Sequence, residues 1–162
     1  MATGTSSTKD ISADDGGKVV LEAKAWKDTP YQLIGSASVK GTGGDCSGST
    51  WRIYGAAGFV YDYRNTATFA TYAIQSRKFR KLDASEVKQE GDLLLWPDHM
   101  AIYTSFASDK DNATTGRTNA KGTKYTQVND IWTATHPGGG PYQPHKMSYF
   151  KPTAPSVYRF QQ

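Results

Sequence analysis

The first half of the chain carries apolar residues at helical spacing. In 18–26 they fall at positions 19, 20, 23 and 26, which predicts an amphipathic helix that ends before Pro30. A second helix is predicted over 46–57, with Gly58 suited to its C-terminal end. A third is predicted over 65–78, and its inner face would consist of Phe69, Tyr72, Ala73 and Phe79.

The second half changes to short apolar runs bounded by turn residues, a pattern typical of strands. The runs 92–96 and 99–106 are separated only by a Pro-Asp pair, which predicts a tight antiparallel hairpin. Further strands are predicted at 131–136 and 157–160. Helices followed by an antiparallel sheet predict an α+β fold.

The sequence indicates one catalytic domain over 18–162, preceded by a flexible, polar tail over 1–17. Between two predicted strands, 107–129 is polar and without apolar periodicity, which predicts a long surface loop or flap. Because both flanking strands supply candidate site residues, we expect this loop to restrict access to the site or to contact a partner.

Composition excludes several functional classes. A single cysteine among 162 residues excludes an internal disulfide framework and a cysteine-based zinc site. No apolar run has the length of a membrane span, and the basic residues, in excess by a net charge of +4, form no nucleic-acid-binding signature. The first residues lack the apolar segment of a secretory signal peptide, so we expect that the chain stays where it is made, leaves by a route that needs no such signal, or has had a leader removed.

The single cysteine, Cys46, lies in a glycine-rich stretch immediately before the second predicted helix. A helix N-terminus presents unpaired N–H groups and the positive end of the helix dipole, and it can lower a thiol pKa. The alternative is a small buried apolar side chain, the usual environment of a lone cysteine. The local sequence leaves both interpretations open.

A catalytic cysteine needs a base to accept its proton and a third group to orient that base. The chain has three histidines, His99, His136 and His145. His99 begins a predicted strand and His136 ends another, where a side chain can reach a site at the sheet edge. A single histidine on a strand is more often structural than catalytic, so these positions alone do not identify the base.

Four segments together resemble the NlpC/P60 family, papain-like cysteine peptidases of the bacterial cell wall. In chain order they are Thr29-Pro30-Tyr31, Gly43-Gly44-Asp45-Cys46-Ser47-Gly48, Gly91-Asp92-Leu93 and His99-Met100-Ala101-Ile102-Tyr103. Each segment is weak alone, but the ordered set is specific. The resemblance implies a papain-like fold, with N-terminal helices packed on a central antiparallel sheet.

The resemblance implies a catalytic role for three residues. Cys46 matches the nucleophile, His99 the general base and His136 the third polar residue that orients the base. The segment between His99 and His136 is longer than is usual in the family, so Asp130 and His145 are alternatives for the third residue.

Three further residues match positions that line the site of the family. Tyr31 matches the tyrosine placed to assist the oxyanion, and Asp45 and Ser47 match positions that hold polar groups of the peptide substrate. Ser36 departs from the pattern, because a second glycine is common there. No metal and no cofactor is required for this chemistry.

The function implied is hydrolysis of an amide bond in the peptidoglycan stem peptide, most simply between γ-D-glutamate and diaminopimelate, by a monomeric enzyme. The chain resembles an interbacterial toxin, such as a type VI secretion amidase effector made in the cytoplasm, acting in the periplasm of a target cell and inhibited by an immunity protein. A phage lysis endopeptidase is the other setting. Two alternative functions are an acyltransferase or amidase with a broad apolar groove, and a non-catalytic wall-binding module.

Overall fold

The computed structural model of the protein describes residues 8–105, 129–134, 141–152 and 154–162. Within them, three α-helices precede a six-stranded antiparallel sheet with strand order β1-β6-β2-β3-β4-β5. The helices are α1 (Ala13–Ala25), α2 (Cys46–Ala56) and α3 (Phe69–Ser76). The strands are β1 (Phe79–Lys81), β2 (Leu93–Trp96), β3 (His99–Tyr103), β4 (Ile131–Thr133), β5 (Gln143–His145) and β6 (Ser156–Phe160). The predicted α+β class is confirmed.

Helix α1 begins five residues before the predicted start at Lys18. The Ser12 side chain caps it by accepting a hydrogen bond from the Asp15 N–H at 3.1 Å. The chain before the cap is also fixed, because the Ile11 N–H donates to the Phe160 carbonyl at 2.9 Å. The predicted tail over 1–17 is therefore corrected, since 8–17 are part of the folded domain and only 1–7 lie outside the described residues.

Helix α2 lies between α1 and the sheet, and the main core fills the space around it. Ile53 and Tyr54 of α2 are fully buried against Met100 and Ile102 of β3. A smaller apolar cluster contains Leu94, Trp96, Ala101 and Ile131. Successive side chains of a strand point to opposite faces, so β3 contributes alternately to the two clusters.

The hairpin that carries His99 forms as predicted. Trp96 pairs with His99 and Leu93 with Ile102, so strands β2 and β3 are joined by two residues. Strand β3 ends at Tyr103, three residues earlier than predicted, whereas β6 includes all of the predicted strand 157–160.

Three other elements, α3, β1 and β5, differ from the prediction for physical reasons. Helix α3 is shorter than 65–78 at both ends. It starts only at Phe69, and Arg77, with a left-handed backbone and φ of 60°, ends it. Phe79 therefore belongs to β1 rather than to α3. Strands β1 and β5 were not predicted, since each has three residues and neither forms an apolar run.

Two predictions fall outside the described residues. These are 107–128 of the predicted loop and His136. The strand predicted over 131–136 is shorter than expected, because β4 ends at Thr133. Among the described residues, the longest α-helix has 13 residues, and none is long and apolar enough to cross a membrane.

Helix α1 approaches the turn before β2 so closely at Gly16 that this position has no room for a side chain. The adjacent Gly17 has room for one. A Cβ atom on Gly16 would lie 1.8 Å from the Glu90 carbonyl oxygen, whereas one on Gly17 would meet nothing within 4 Å. We expect Gly16→Ala to lower the free energy of unfolding by about 1–3 kcal/mol, as overpacking does. Gly17→Ala, the matched control, should be neutral or stabilising by up to about 1 kcal/mol, because alanine favours helix.

Thermal or urea denaturation of the two variants beside the unmodified protein measures the difference. Equal stability of the two variants would contradict the close approach of α1 to Glu90.

Candidate active site

Cys46 is the first residue of α2, as the glycine-rich stretch predicted. Asp45 caps this helix, and its Oδ1 accepts a hydrogen bond from the Gly48 N–H at 2.7 Å. Asp45 is extended while Cys46 is helical, so the thiol stands at the point where the chain enters the helix.

The second carboxylate oxygen of Asp45 binds a neighbouring turn to the start of α2. Its Oδ2 accepts from the Gly35 N–H at 2.7 Å. The two elements are so close that a Cβ atom on Gly48 would lie 2.1 Å from both the Gly35 carbonyl oxygen and the Ser38 Oγ. Both carboxylate oxygens of Asp45 therefore have a structural role. Contact of Asp45 with substrate stays a prediction.

Burial dominates the electrostatics of the thiol. The side chain is 9% exposed, and burial raises the pKa of Cys46 to about 11, with the nearby Asp45 carboxylate raising it further. Backbone hydrogen bonds from Met100, Ser47 and Cys46 itself act in the opposite direction but are outweighed. The helix N-terminus therefore does not produce a net lowering of the thiol pKa. The resting thiol keeps its proton at neutral pH.

His99 is the residue before Met100, whose backbone contacts the thiol. It begins β3, and the next residue, Met100, supplies the backbone hydrogen bond to Cys46. The imidazole is buried and stacks on the Phe150 ring, with centroids 4.1 Å apart and planes at 13°. Its Nε2 lies 3.1 Å from the Thr133 hydroxyl oxygen. The Cys46 thiol therefore contacts β3 at Met100, the residue that follows His99.

Tyr31 lies close enough to the thiol for the two groups to interact electrostatically. Its backbone forms an isolated parallel bridge with Gly44, two residues before Cys46. Burial raises the pKa of Tyr31 to about 12, with Cys46 and Asp45 adding to the effect. The hydroxyl therefore stays protonated at neutral pH and is available as a hydrogen-bond donor close to the sulfur.

Ser47 connects the site to a residue that the sequence analysis missed. Its Oγ lies 3.0 Å from the Tyr63 hydroxyl and 3.5 Å from Asp45 Oδ1. Burial raises the pKa of Tyr63, and the nearby Asp45 and Cys46 raise it as well. Tyr63 lies in an irregular segment after α2, where no periodicity or motif marks it. Contact of Ser47 with substrate stays a prediction.

An open groove extends from Tyr63 along the outer side of α2. Its volume is about 690 Å³. Its lining is mainly aromatic and aliphatic and includes Trp26, Val39, Trp51, Val60 and Tyr63. Arg52 adds a cation at the edge and lies 4.7 Å over the Trp51 ring.

The three candidates for the residue that orients the base have different outcomes. His136 lies outside the described residues. Asp130 accepts from the Met147 N–H at 2.6 Å and donates its own N–H to the His145 carbonyl at 3.0 Å. Burial lowers the pKa of His145, whose Nε2 has no hydrogen-bond partner in the described structure. The Thr133 hydroxyl, which the sequence analysis did not select, lies within hydrogen-bond distance of His99 Nε2.

No metal centre is evident in the parts of the chain that the structure describes, since they contain no group of three or more His, Cys, Asp or Glu residues placed to hold an ion. The site as described consists of a thiol, an imidazole, neutral hydroxyl groups and the Asp45 carboxylate that caps α2. Such a set is suited to nucleophilic attack on a carbonyl group.

Comparisons with known proteins bear on the fold. No protein-family model matches the chain, and no curated protein matches it. The chain is similar in structure to the NlpC/p60 domain of the peptidoglycan hydrolase SagA, with a TM-score of 0.56 and 23% sequence identity over 89% of this chain and 97% of that chain. The predicted papain-like NlpC/P60 fold is confirmed.

The buried, protonated thiol predicts an alkaline reactivity profile. Because burial raises the pKa of Cys46 to about 11, we expect its alkylation by iodoacetamide to accelerate continuously from pH 7 to pH 10. A cysteine in a short peptide, with a pKa of about 8.5, should approach its plateau in this range. Rates are measured by intact-protein mass spectrometry, and a plateau at neutral pH would show a resting thiolate instead.

Proposed function

We propose that the protein is a cysteine peptidase that hydrolyses an amide bond in the stem peptide of peptidoglycan. The observation that carries this proposal is the position of the Cys46 thiol at the start of α2, hydrogen-bonded to the backbone of Met100 beside His99. The fold that holds this pair is shared with the NlpC/p60 domain of a peptidoglycan hydrolase, which supports the choice of substrate.

In the proposed reaction, the sulfur of Cys46 attacks the peptide carbonyl carbon while His99 accepts the thiol proton. The C–N bond then breaks, and His99 returns the proton to the departing amine. Water hydrolyses the resulting thioester, with His99 as the base, and the thiol is restored. Because burial raises the pKa of the thiol, proton removal and attack are expected to occur together rather than from a preformed thiolate.

The oxyanion formed during attack needs donors that are already in place. The backbone N–H of Cys46 at the start of α2 is one such donor, and the protonated hydroxyl of Tyr31 is the other. Its high pKa, about 12, prevents Tyr31 from becoming an anion at the pH of the reaction. In the proposed complex, the carbonyl oxygen of the bound peptide lies between these two donors.

The proposal extends to the bond that is cut and to the biological setting. We propose cleavage between γ-D-glutamate and diaminopimelate by a monomeric enzyme, and the net charge of +4 favours association with an anionic cell wall. An interbacterial toxin that acts in the periplasm of a target cell and is paired with an immunity protein, or a phage lysis protein, is the setting proposed from the sequence.

A second candidate function is supported by the groove beside α2. An acyltransferase or amidase on this scaffold would need a broad apolar groove for its substrate. The groove of about 690 Å³ that begins at Tyr63 has such a lining. Release of peptide fragments from purified sacculi favours hydrolysis, whereas transfer of an acyl group to a nucleophile other than water favours the alternative.

Removal of either member of the catalytic pair should abolish cleavage. We expect Cys46→Ala and His99→Ala each to reduce peptide release from sacculi by several orders of magnitude, because residues that act as a unit fail together. Mass spectrometry of the released muropeptides identifies the bond that is cut. Melting curves like that of the unmodified protein establish that the fold is intact, and fragments released by folded Cys46→Ala would exclude the thiol mechanism.

The donor role of Tyr31 gives a separate prediction. Tyr31→Phe removes only the hydroxyl and should lower kcat about 100- to 1,000-fold, the usual effect of losing one oxyanion donor. Tyr72→Phe is the matched control, since the Tyr72 hydroxyl instead accepts from the Asp62 N–H at 2.8 Å. Equal activity of the two variants would remove Tyr31 from the proposed oxyanion site.

A further inference from the structure

We propose that the groove beside α2 is a carbohydrate-binding site, which holds the glycan of the cell wall while the attached stem peptide is at Cys46. The lining of the groove points to the chemical class of the ligand, a neutral chain of N-acetylated sugars. The preference for stem peptides that are joined to glycan rests on the proposed function, whereas binding of the carbohydrate itself does not.

The floor of the groove is kept open by a glycine that the fold does not require. Gly55 lies in the last turn of α2, which ends at Ala56, and it lines the groove. A Cβ atom on Gly55 would meet nothing within 4 Å, and its backbone is not left-handed. Glycine also forms helices less readily than alanine. Because neither close packing nor backbone conformation calls for glycine here, we interpret Gly55 as leaving room for a ligand.

The walls of the groove present large apolar side chains to solvent. Val60 is 64% exposed and Val39 is 48% exposed. The half-buried indole of Trp51 is held in place, because its Nε1 donates to the Tyr61 carbonyl at 2.8 Å. The rings of Trp51 and Tyr63 meet edge to face, with centroids 5.7 Å apart. An apolar wall that is already ordered loses little conformational entropy when a ligand binds.

The lining also carries four charged side chains, two of each sign, namely Glu22, Lys40, Arg52 and Asp62. Among the described residues, none of the four forms an ion pair. Because their charges sum to zero, the groove favours a ligand without net charge. The two cations can donate hydrogen bonds and the two carboxylates can accept them, so the ligand should carry both kinds of group.

Arg52 is held in place beside the apolar wall. Its Nε donates to the Ser38 carbonyl at 3.0 Å, and its guanidinium lies 4.7 Å from the centre of the Trp51 ring. No group in the described part of the chain accepts from its Nη1, so these N–H groups are available to a ligand. A fixed donor next to an aromatic ring suits a hydroxyl or acetamido oxygen that adjoins an apolar ring face.

This lining suits a sugar better than an acyl chain or a peptide. A sugar ring presents C–H groups on its faces and hydroxyl groups at its edges, so it can contact the apolar wall and the charged groups together. An acyl chain makes no use of the charged groups. The lining residues belong to α1, α2 and two irregular segments, so the groove offers no strand edge with which the main chain of a peptide could pair.

Tyr63 connects the groove to the proposed active site. It lines the groove, and its hydroxyl lies 3.0 Å from the Oγ of Ser47, the residue after Cys46. Trp51 and Gly55 follow Cys46 by five and nine residues, which places them roughly 8 and 14 Å farther along the helix axis. The stem peptide is joined to the glycan at one end, so a stem bound at Cys46 brings its sugar toward this groove.

Carbohydrate binding is tested by nitrogen-15 NMR titration with triacetylchitotriose, a neutral chain of N-acetylglucosamine. We expect the signals of the Trp51 indole N–H and the Gly55 amide to shift. Gly55→Leu fills the floor of the groove and should weaken binding about tenfold or more. Gly17→Leu, the matched control at another open helical position, should leave binding unchanged. Both variants should melt no lower than the unmodified protein, because leucine favours helix over glycine.

Two results of the titration would overturn the inference. One is equal affinity of the Gly55→Leu and Gly17→Leu variants for the sugar. The other is a shift of the groove signals by octanoate or by a free stem peptide but not by the sugar, which would make the groove an acyl or peptide site.

Cleavage of two substrates separates this inference from the proposed function. The kcat/KM for soluble fragments that retain their glycan, divided by that for the free stem peptide, should fall about tenfold in Gly55→Leu but not in Gly17→Leu. An unchanged ratio in Gly55→Leu would overturn the inference. Sugar binding without cleavage of either substrate would refute the proposed function alone, and cleavage without sugar binding would refute this inference alone.

Discussion

The pair of hydrogen bonds accepted by the Asp45 carboxylate is the constraint on which the site depends. One oxygen caps α2 at the Gly48 N–H, and the other binds the Gly35 N–H, each at 2.7 Å. The first bond starts the helix at Cys46, and the second brings the glycine turn against it, so close that Gly48 has no room for a side chain. The start of α2, the glycine turn and the thiol are therefore held together as a single unit. The main role of Asp45 is to hold this unit in place.

Packing of this unit on the hairpin determines its chemistry. Strand β3 places the Met100 backbone, one residue after His99, against the sulfur, while the surrounding core buries the thiol. Burial then raises the pKa of the thiol and of Tyr31, so both keep their protons. A buried thiol is inert until a base and a carbonyl group are present together, and we infer that this limits reaction to a bound peptide.

The sequence predicts those parts of the structure that local patterns determine. The glycine-rich turn, the start of α2 and the β2–β3 hairpin follow from nearby residues, and they place Cys46 and His99. The start of α1 at Ala13 was missed because two glycines interrupt the helical pattern, although the structure requires one of them for contact with Glu90. The contact of Thr133 with His99 was missed because it depends on strand register, and the raised pKa of the thiol was missed because it depends on burial. Neither property is visible in a local pattern.

The central claim is that a covalent thioester forms on Cys46 during cleavage. The most direct test is intact-protein mass spectrometry of an acid-quenched reaction with purified stem peptides, followed by peptide mapping. The account predicts a transient increase equal to the mass of the acyl fragment, located on Cys46 and accumulating in step with the first turnover. Cleavage of the peptide in a reaction that never modifies Cys46, under conditions where a known cysteine peptidase is trapped, would contradict it.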